Sequence, residues 1–155
     1  MTNGFTHLDA SGKAHMVDVT LKASTQRSAR AHSVVRLTAG DAGACDWDQA
    51  FAAARIAGTQ AAKRTALLIP LCHQLLAVDV EMQFDRYVDR IEVSALATVH
   101  ERTGVEMEAL VAVSAAALSL SMHTQSPRID DTMLVEKSGG KSGRWLRTAL
   151  RSRDQ

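Results

Sequence analysis

An α+β fold with one antiparallel sheet and its helices on a single face is what the sequence predicts, on three observations. Two segments alternate apolar and polar residues at the period of half-buried strands. In the first, Val78, Val80, Met82 and Phe84 oppose Asp79, Glu81 and Gln83; the second carries Ile91, Val93, Ala95, Ala97 and Val99. Alanine-dense blocks at 50–62 and 109–117 read as helices on either side of that pair. A further strand precedes the first block and another follows the second. The order strand, helix, strand, strand, helix, strand is the βαββαβ arrangement of ferredoxin-like folds.

Taken in order, residues 1–30 form a polar N-terminal arm with a basic patch at Lys22, Arg27 and Arg30. Ser33–Leu37 reads as a short strand, closed by the turn-prone Gly40-Asp41-Ala42-Gly43. Either Asp46 or Asp48 can cap the first helix, which runs to Lys63-Arg64, where positive charge suits a C-terminus. Pro70 cannot continue a helix interior. The polar loop 85–90 joins the two alternating strands as a hairpin. Thr103-Gly104-Val105-Glu106 matches a capping box and opens a helix to about Met122. Ile129–Glu136 makes the last strand, followed by the glycine-rich Lys137–Gly143. In the basic tail 144–155, Arg144, Arg147, Arg151 and Arg153 lie on a helix with Trp145 and Leu146. That tail is either a partner contact or a solvated terminus, the commoner case.

The 155 residues suit one domain, with 46% hydrophobic and 23% charged residues and a net charge of +1. So even a balance argues against nucleic-acid binding, which needs a basic surplus. No stretch approaches a membrane span, and the start lacks the basic and apolar regions of a secretory signal. Cys45 and Cys72 fit a reducing compartment and no CxxC pattern, so a cytoplasmic location is expected. The six histidines show no helical pair at ligand spacing, and neither a metal nor a cofactor is expected. Aromatics are only 4%. A core so rich in alanine buries little area per residue, and such domains often gain stability from a subunit interface. Oligomerisation is therefore expected.

Three segments can carry chemistry. Arg55 and Lys63 lie nearly in line on one helix face and could address a polyanion, or form a solvated basic face. Gly58 in that helix allows either close packing or the approach of a ligand. His73, just after Cys72 and before a strand, is either structural or a proton-transfer group, and Cys72 reads as a small buried filler. In the second segment Glu106 is explained by capping, Glu108 less well. The third, Lys137-Ser-Gly-Gly-Lys141, lacks the spacing of a Walker loop; its backbone N–H groups and two ammonium groups could still hold phosphates.

Together these blocks resemble the cyclic pyranopterin monophosphate synthase family of molybdenum-cofactor biosynthesis. The resemblance rests on Leu8 with His15–Val19, ARIAGTQAAKRTALLIPLCHQL at 54–75, TGVEMEALVAVSAAAL at 103–118 and EKSGGKSG at 136–143. It implies a ferredoxin-like subunit in a homohexamer, a trimer of dimers with sites at the dimer interface. It also implies a small-molecule substrate, the 3′,8-cyclised dihydro derivative of GTP, converted to cyclic pyranopterin monophosphate with release of pyrophosphate. By position, Leu71, Cys72 and His73 match the family's substrate-contacting Leu-Cys-His, and Met107 and Glu108 its Met-Glu, with Glu106 beside them. Arg27, Lys63, Lys137 and Lys141 match basic positions around the substrate phosphates and ring.

The departures fall at reacting positions. The family's acid/base Asp and Lys are replaced here by Met122 and Gln125, and the helix end is shortened before Asp130. A Lys-Gly-Asp before the first helix is replaced by Trp47-Asp48-Gln49, and the usual His-Pro is His73-Gln74. A thioether moves no proton and a carboxamide carries no charge; losing one acid/base group costs about 10²–10⁴ in rate. Asp130 or Asp131 swinging into the vacated place, or His123, His73 or Lys137 supplying a proton, would rescue turnover. Otherwise the chain is a silent paralogue that keeps the hexamer and a purine- or pterin-phosphate pocket for binding or regulation.

Overall fold

The computed structural model describes Leu8, residues 11–41, Gly43, residues 45–141 and residues 143–148. Residues 1–7, 9 and 10 of the N-terminal arm, Ala42 of the first turn, Ser142 of the glycine-rich run and Arg151 and Arg153 of the basic tail lie outside the described residues. The elements run β1 (Thr25–Arg36), α1 (Trp47–Lys63), α2 (Thr65–Leu68), β2 (Asp79–Arg86), β3 (Arg90–Glu101), α3 (Glu106–Ser121), β4 (Ile129–Ser138) and β5 (Trp145–Leu146). The strands form one antiparallel sheet in the order β2-β3-β1-β4-β5. With β5 set aside, α1 and α3 complete the expected ferredoxin-like α+β fold.

The strict alternation has its predicted consequence. Ile91, Val93, Ala95, Ala97 and Val99 are buried beneath the helices, opposite Ala29, Ala31 and Val35 of β1 and beside Met82 of β2. Helix α1 turns a stripe of Trp47, Ala50, Ala54, Gly58 and Ala62 to the core. Helix α3 turns Ala109, Ala112, Val113, Ala116, Ala117 and Leu120 to the same core. Alanine makes up about half of the described core, so the helices sit close to one another and to the sheet. Asp46 is the N-cap of α1, its carboxylate accepting from the N–H groups of Asp48 and Gln49.

Three expectations need correction. The N-terminal arm ends at Ser24, because residues 25–30 belong to β1, whose pairing with β3 runs unbroken from Thr25↔Glu101 to Arg36↔Arg90. Polar side chains on an open sheet face concealed that strand. The capping box does not form: α3 starts at Glu106 with Val105 as a cap that makes no side-chain hydrogen bond. A tertiary ion pair holds Glu106 instead, its Oε1 accepting from Lys137 Nζ at 3.0 Å. Trp145 and Leu146 are a strand rather than part of a helix; they pair with Lys137 and Glu136 on the outer edge of β4.

Candidate functional site

Where the starts of β1 and α3 meet the end of β4, a cleft of about 530 Å³ opens. Its floor comes from the link between α2 and β2. Pro70 ends the helical run, and Leu71 then adopts φ +65, a conformation costly for a bulky side chain. That turn carries Leu71, Cys72 and His73 into the cleft. The first turn of α3 supplies Glu106, Met107 and Glu108, and Arg102-Thr103-Gly104 lead into it. Arg27 arrives from β1, Lys137 from β4 and Lys141 from the loop after it, with Val17, Val19 and Lys22 closing one side.

The sheet register explains why two distant cations meet. Lys137 pairs with Ala29, two residues from Arg27 on the same strand face, so both side chains project toward the start of α3. The Ser138-Gly139-Gly140 turn is shaped around Arg27. Gly139 and Gly140 take φ +95 and +66, and a methyl group at Gly140 would strike the Arg27 guanidinium. Arg27 Nε donates to the Glu101 carbonyl at 3.0 Å, and the Ser28 and Ser138 hydroxyls lie 2.8 Å apart. Much of the glycine-rich motif is thus a cradle that fixes one arginine. Lys22, Arg27 and Lys141 also border a second lobe of about 490 Å³, together with Asp18 and Thr25. The Thr25 hydroxyl there is buried with no hydrogen-bond partner among the described residues.

The electrostatics are lopsided. Five cationic side chains line the cleft (Lys22, Arg27, Arg102, Lys137 and Lys141) against two carboxylates, Glu106 and Glu108. Among the described residues, Lys22, Arg102 and Lys141 make no ion pair, which leaves them available to an anion. Burial, reinforced by the Glu106 charge, raises the pKa of Glu108. A carboxyl that holds its proton longer than usual suits proton transfer to a bound ligand. Burial and the Glu108 charge push the Cys72 thiol up too, so it is a poor nucleophile; it lines the cleft half-buried and is not the buried filler its sequence context implies.

Nine of the ten binding candidates read from the sequence line this one cleft: Arg27, Leu71, Cys72, His73, Glu106, Met107, Glu108, Lys137 and Lys141. Lys63 is outside it, exposed at the end of α1. Arg55 is committed elsewhere, its guanidinium over the Phe84 ring at 5.2 Å and donating to the Met82 carbonyl. Arg102 lies outside the sequence motifs; its signal is adjacency to the Thr103–Glu108 block.

The remaining catalytic candidates lie at the far end of α3 and β4. Met122 is 83% exposed. The Gln125 N–H donates to Asp41 Oδ1 at 2.7 Å, and its side-chain amide donates to the Gly40 carbonyl. Asp41 also accepts from the Thr38 N–H and hydroxyl, which together hold its carboxyl below the usual range. Asp130 is held between Arg36 and Arg128, at 2.9 and 3.1 Å, and its carboxyl is likewise lowered. Asp131 sits in a β-bulge at φ +53, exposed. No group of His, Cys, Asp and Glu among the described residues could hold a metal ion, and no helix is long and apolar enough to cross a membrane. A family model described as the MoaC family matches residues 16–140, a span that contains nearly all of the cleft lining.

Proposed function

The chain belongs to the MoaC family, which acts in molybdenum cofactor biosynthesis, and from that premise we propose that its cleft takes the 3′,8-cyclised dihydro derivative of GTP. On this reading the chain is a cyclic pyranopterin monophosphate synthase, one domain working in the cytoplasm within a homohexamer and needing no cofactor. One observation carries the reading: side chains from five separate stretches of sequence converge on a single cleft with a surplus of cations beside a buried carboxyl. Closing a cyclic phosphate expels pyrophosphate, so charge accumulates on the leaving group, and placed cations lower that barrier. Lys22, Arg27, Arg102 and Lys141 would hold the triphosphate, while Glu108 and His73 would face the rearranging ring as proton carriers.

A second reading is favoured by the state of the vacated positions. Met122 offers no titratable group, and the Gln125 backbone and side chain are tied to Asp41 and Gly40. Asp130, one of the two carboxylates that could replace the family's Asp, is engaged by two arginines. A chain with those features keeps the pocket as a binding or regulatory site without turnover. Single-turnover incubation with the cyclised dihydro-GTP separates the readings. Formation of the cyclic pyranopterin and pyrophosphate is expected for the synthase; tight binding with no product establishes the silent paralogue. Loss of product in Asp131→Asn, but not in Asp130→Asn, would then locate the relocated acid/base group.

A further inference from the structure

We propose that Glu106 is an internal competitor for Lys137, so that an anion entering the cleft must displace its carboxylate to reach that ammonium group. The inference rests on reading the cleft as an anion site and concerns how its affinity is set. Lys137 is the cation in the cleft already bound to a carboxylate, with Nζ 3.0 Å from Glu106 Oε1. The two side chains are 32% and 31% exposed, shielded enough to interact yet open to a ligand. Lys22, Arg102 and Lys141, by contrast, make no ion pair among the described residues.

The glutamate is held in this pose by the absence of a side chain at Gly104. A methyl group there would overlap the Glu106 carboxylate, its carbon 2.7 Å from Cδ. Gly104 has an ordinary backbone conformation, so its lack of a side chain matters for space and not for φ. Local propensity does not explain the geometry either, since Val105 caps α3 without any help from Glu106. The sequence counts Glu106 among the groups that bind substrate. The geometry makes it a group that substrate must move.

The test is calorimetric titration of the full chain with tripolyphosphate, which isolates the anion from the ring. Glu106→Gln removes the competing charge. Gly104→Ala keeps every charge and only pushes the carboxylate away. Both variants are expected to bind about two- to five-fold tighter than the unaltered chain, the scale of a partly exposed ion pair. In a Lys137→Ala background neither change should matter, which a double-mutant cycle reads directly. Unchanged or weaker binding by the two variants overturns the proposal while leaving the anion site standing. Tightening in Glu106→Gln alone also overturns it, because that outcome is general charge repulsion. No binding by any variant removes the anion site and this inference with it.

Discussion

Glu108 and Asp130 are pushed in opposite directions by their surroundings, and stability should follow each with its own sign. Burial raises the pKa of Glu108, so the folded chain holds that proton more tightly than the unfolded chain. Its favourable contribution is complete below the ordinary value of 4.5 and is lost as pH climbs through the raised value. Glu108→Gln, permanently neutral, is therefore expected to melt higher than the unaltered chain at about pH 7.5 and alike at about pH 4. The hydrogen bonds from Arg36 and Arg128 lower Asp130 instead, so its contribution is present above 3.8 and lost as pH falls through the lowered value. Asp130→Asn should lose about 0.5–1 kcal/mol at neutral pH, with Arg36 and Arg128 partly solvated, and nothing in strong acid. Melting curves of both variants across pH check the pair, and a shared sign would refute it. A gain in stability at Glu108→Gln alongside lost ligand turnover would mark a group kept at a structural cost for its chemistry.

At the scale of elements, the crossing of α1 and α3 depends on Gly58. A Cβ there would lie 2.8 Å from the Ala112 carbonyl oxygen and would collide with the Met82 sulfur. Alanine gains about 1 kcal/mol of helix propensity over glycine. Overpacking against backbone costs about 1–3 kcal/mol, and Ala112 cannot swing aside as a side chain could. Gly58→Ala is expected to lose about 1 kcal/mol net in urea denaturation, despite its better propensity. Of the two roles the sequence left open for this glycine, close packing is the one its surroundings explain.

Period-two alternation at Val78–Phe84 and Ile91–Val99 located β2 and β3 because one face is buried and the other wet. The start of β1 escaped notice, since Gln26, Arg27, Ser28 and Arg30 interrupt its apolar face and crowd its open one. The capping box misled because a local rule cannot see Lys137, 31 residues away. Trp145 and Leu146 looked helical among arginines, but a free β4 edge offered them backbone partners. Most of the cleft was legible through family motifs, whereas the Glu106–Lys137 pairing belongs to tertiary geometry alone.

Across the whole molecule, the cleft and the vacated acid/base positions stand at opposite ends. Helix α3 has 16 residues, so at 1.5 Å each about 24 Å separates Glu106 from Met122. Strand β4 repeats the separation, with Lys137 near one end and Asp130 near the other. No rotamer of residue 122 or 125 spans that distance, so within one subunit neither can act in its own cleft. Leu67, Leu68 and Leu76 flank the Leu71–His73 turn at 82%, 59% and 94% exposure, an apolar surface beside the cleft. In the hexamer proposed above, the α3 end of one subunit would then have to serve the cleft of another. Restoring the family groups by Met122→Asp with Gln125→Lys should raise turnover of the cyclised dihydro-GTP by about 10²-fold or more. Adding Glu108→Gln to the restored chain removes a proposed proton carrier from its cleft and should remove the gain. Reassembling that inert chain with the unaltered one should bring the raised rate back, because the restored groups then face an intact cleft. Mixed assemblies, verified by mass, that never exceed the unaltered rate would mean the two ends do not meet across an interface.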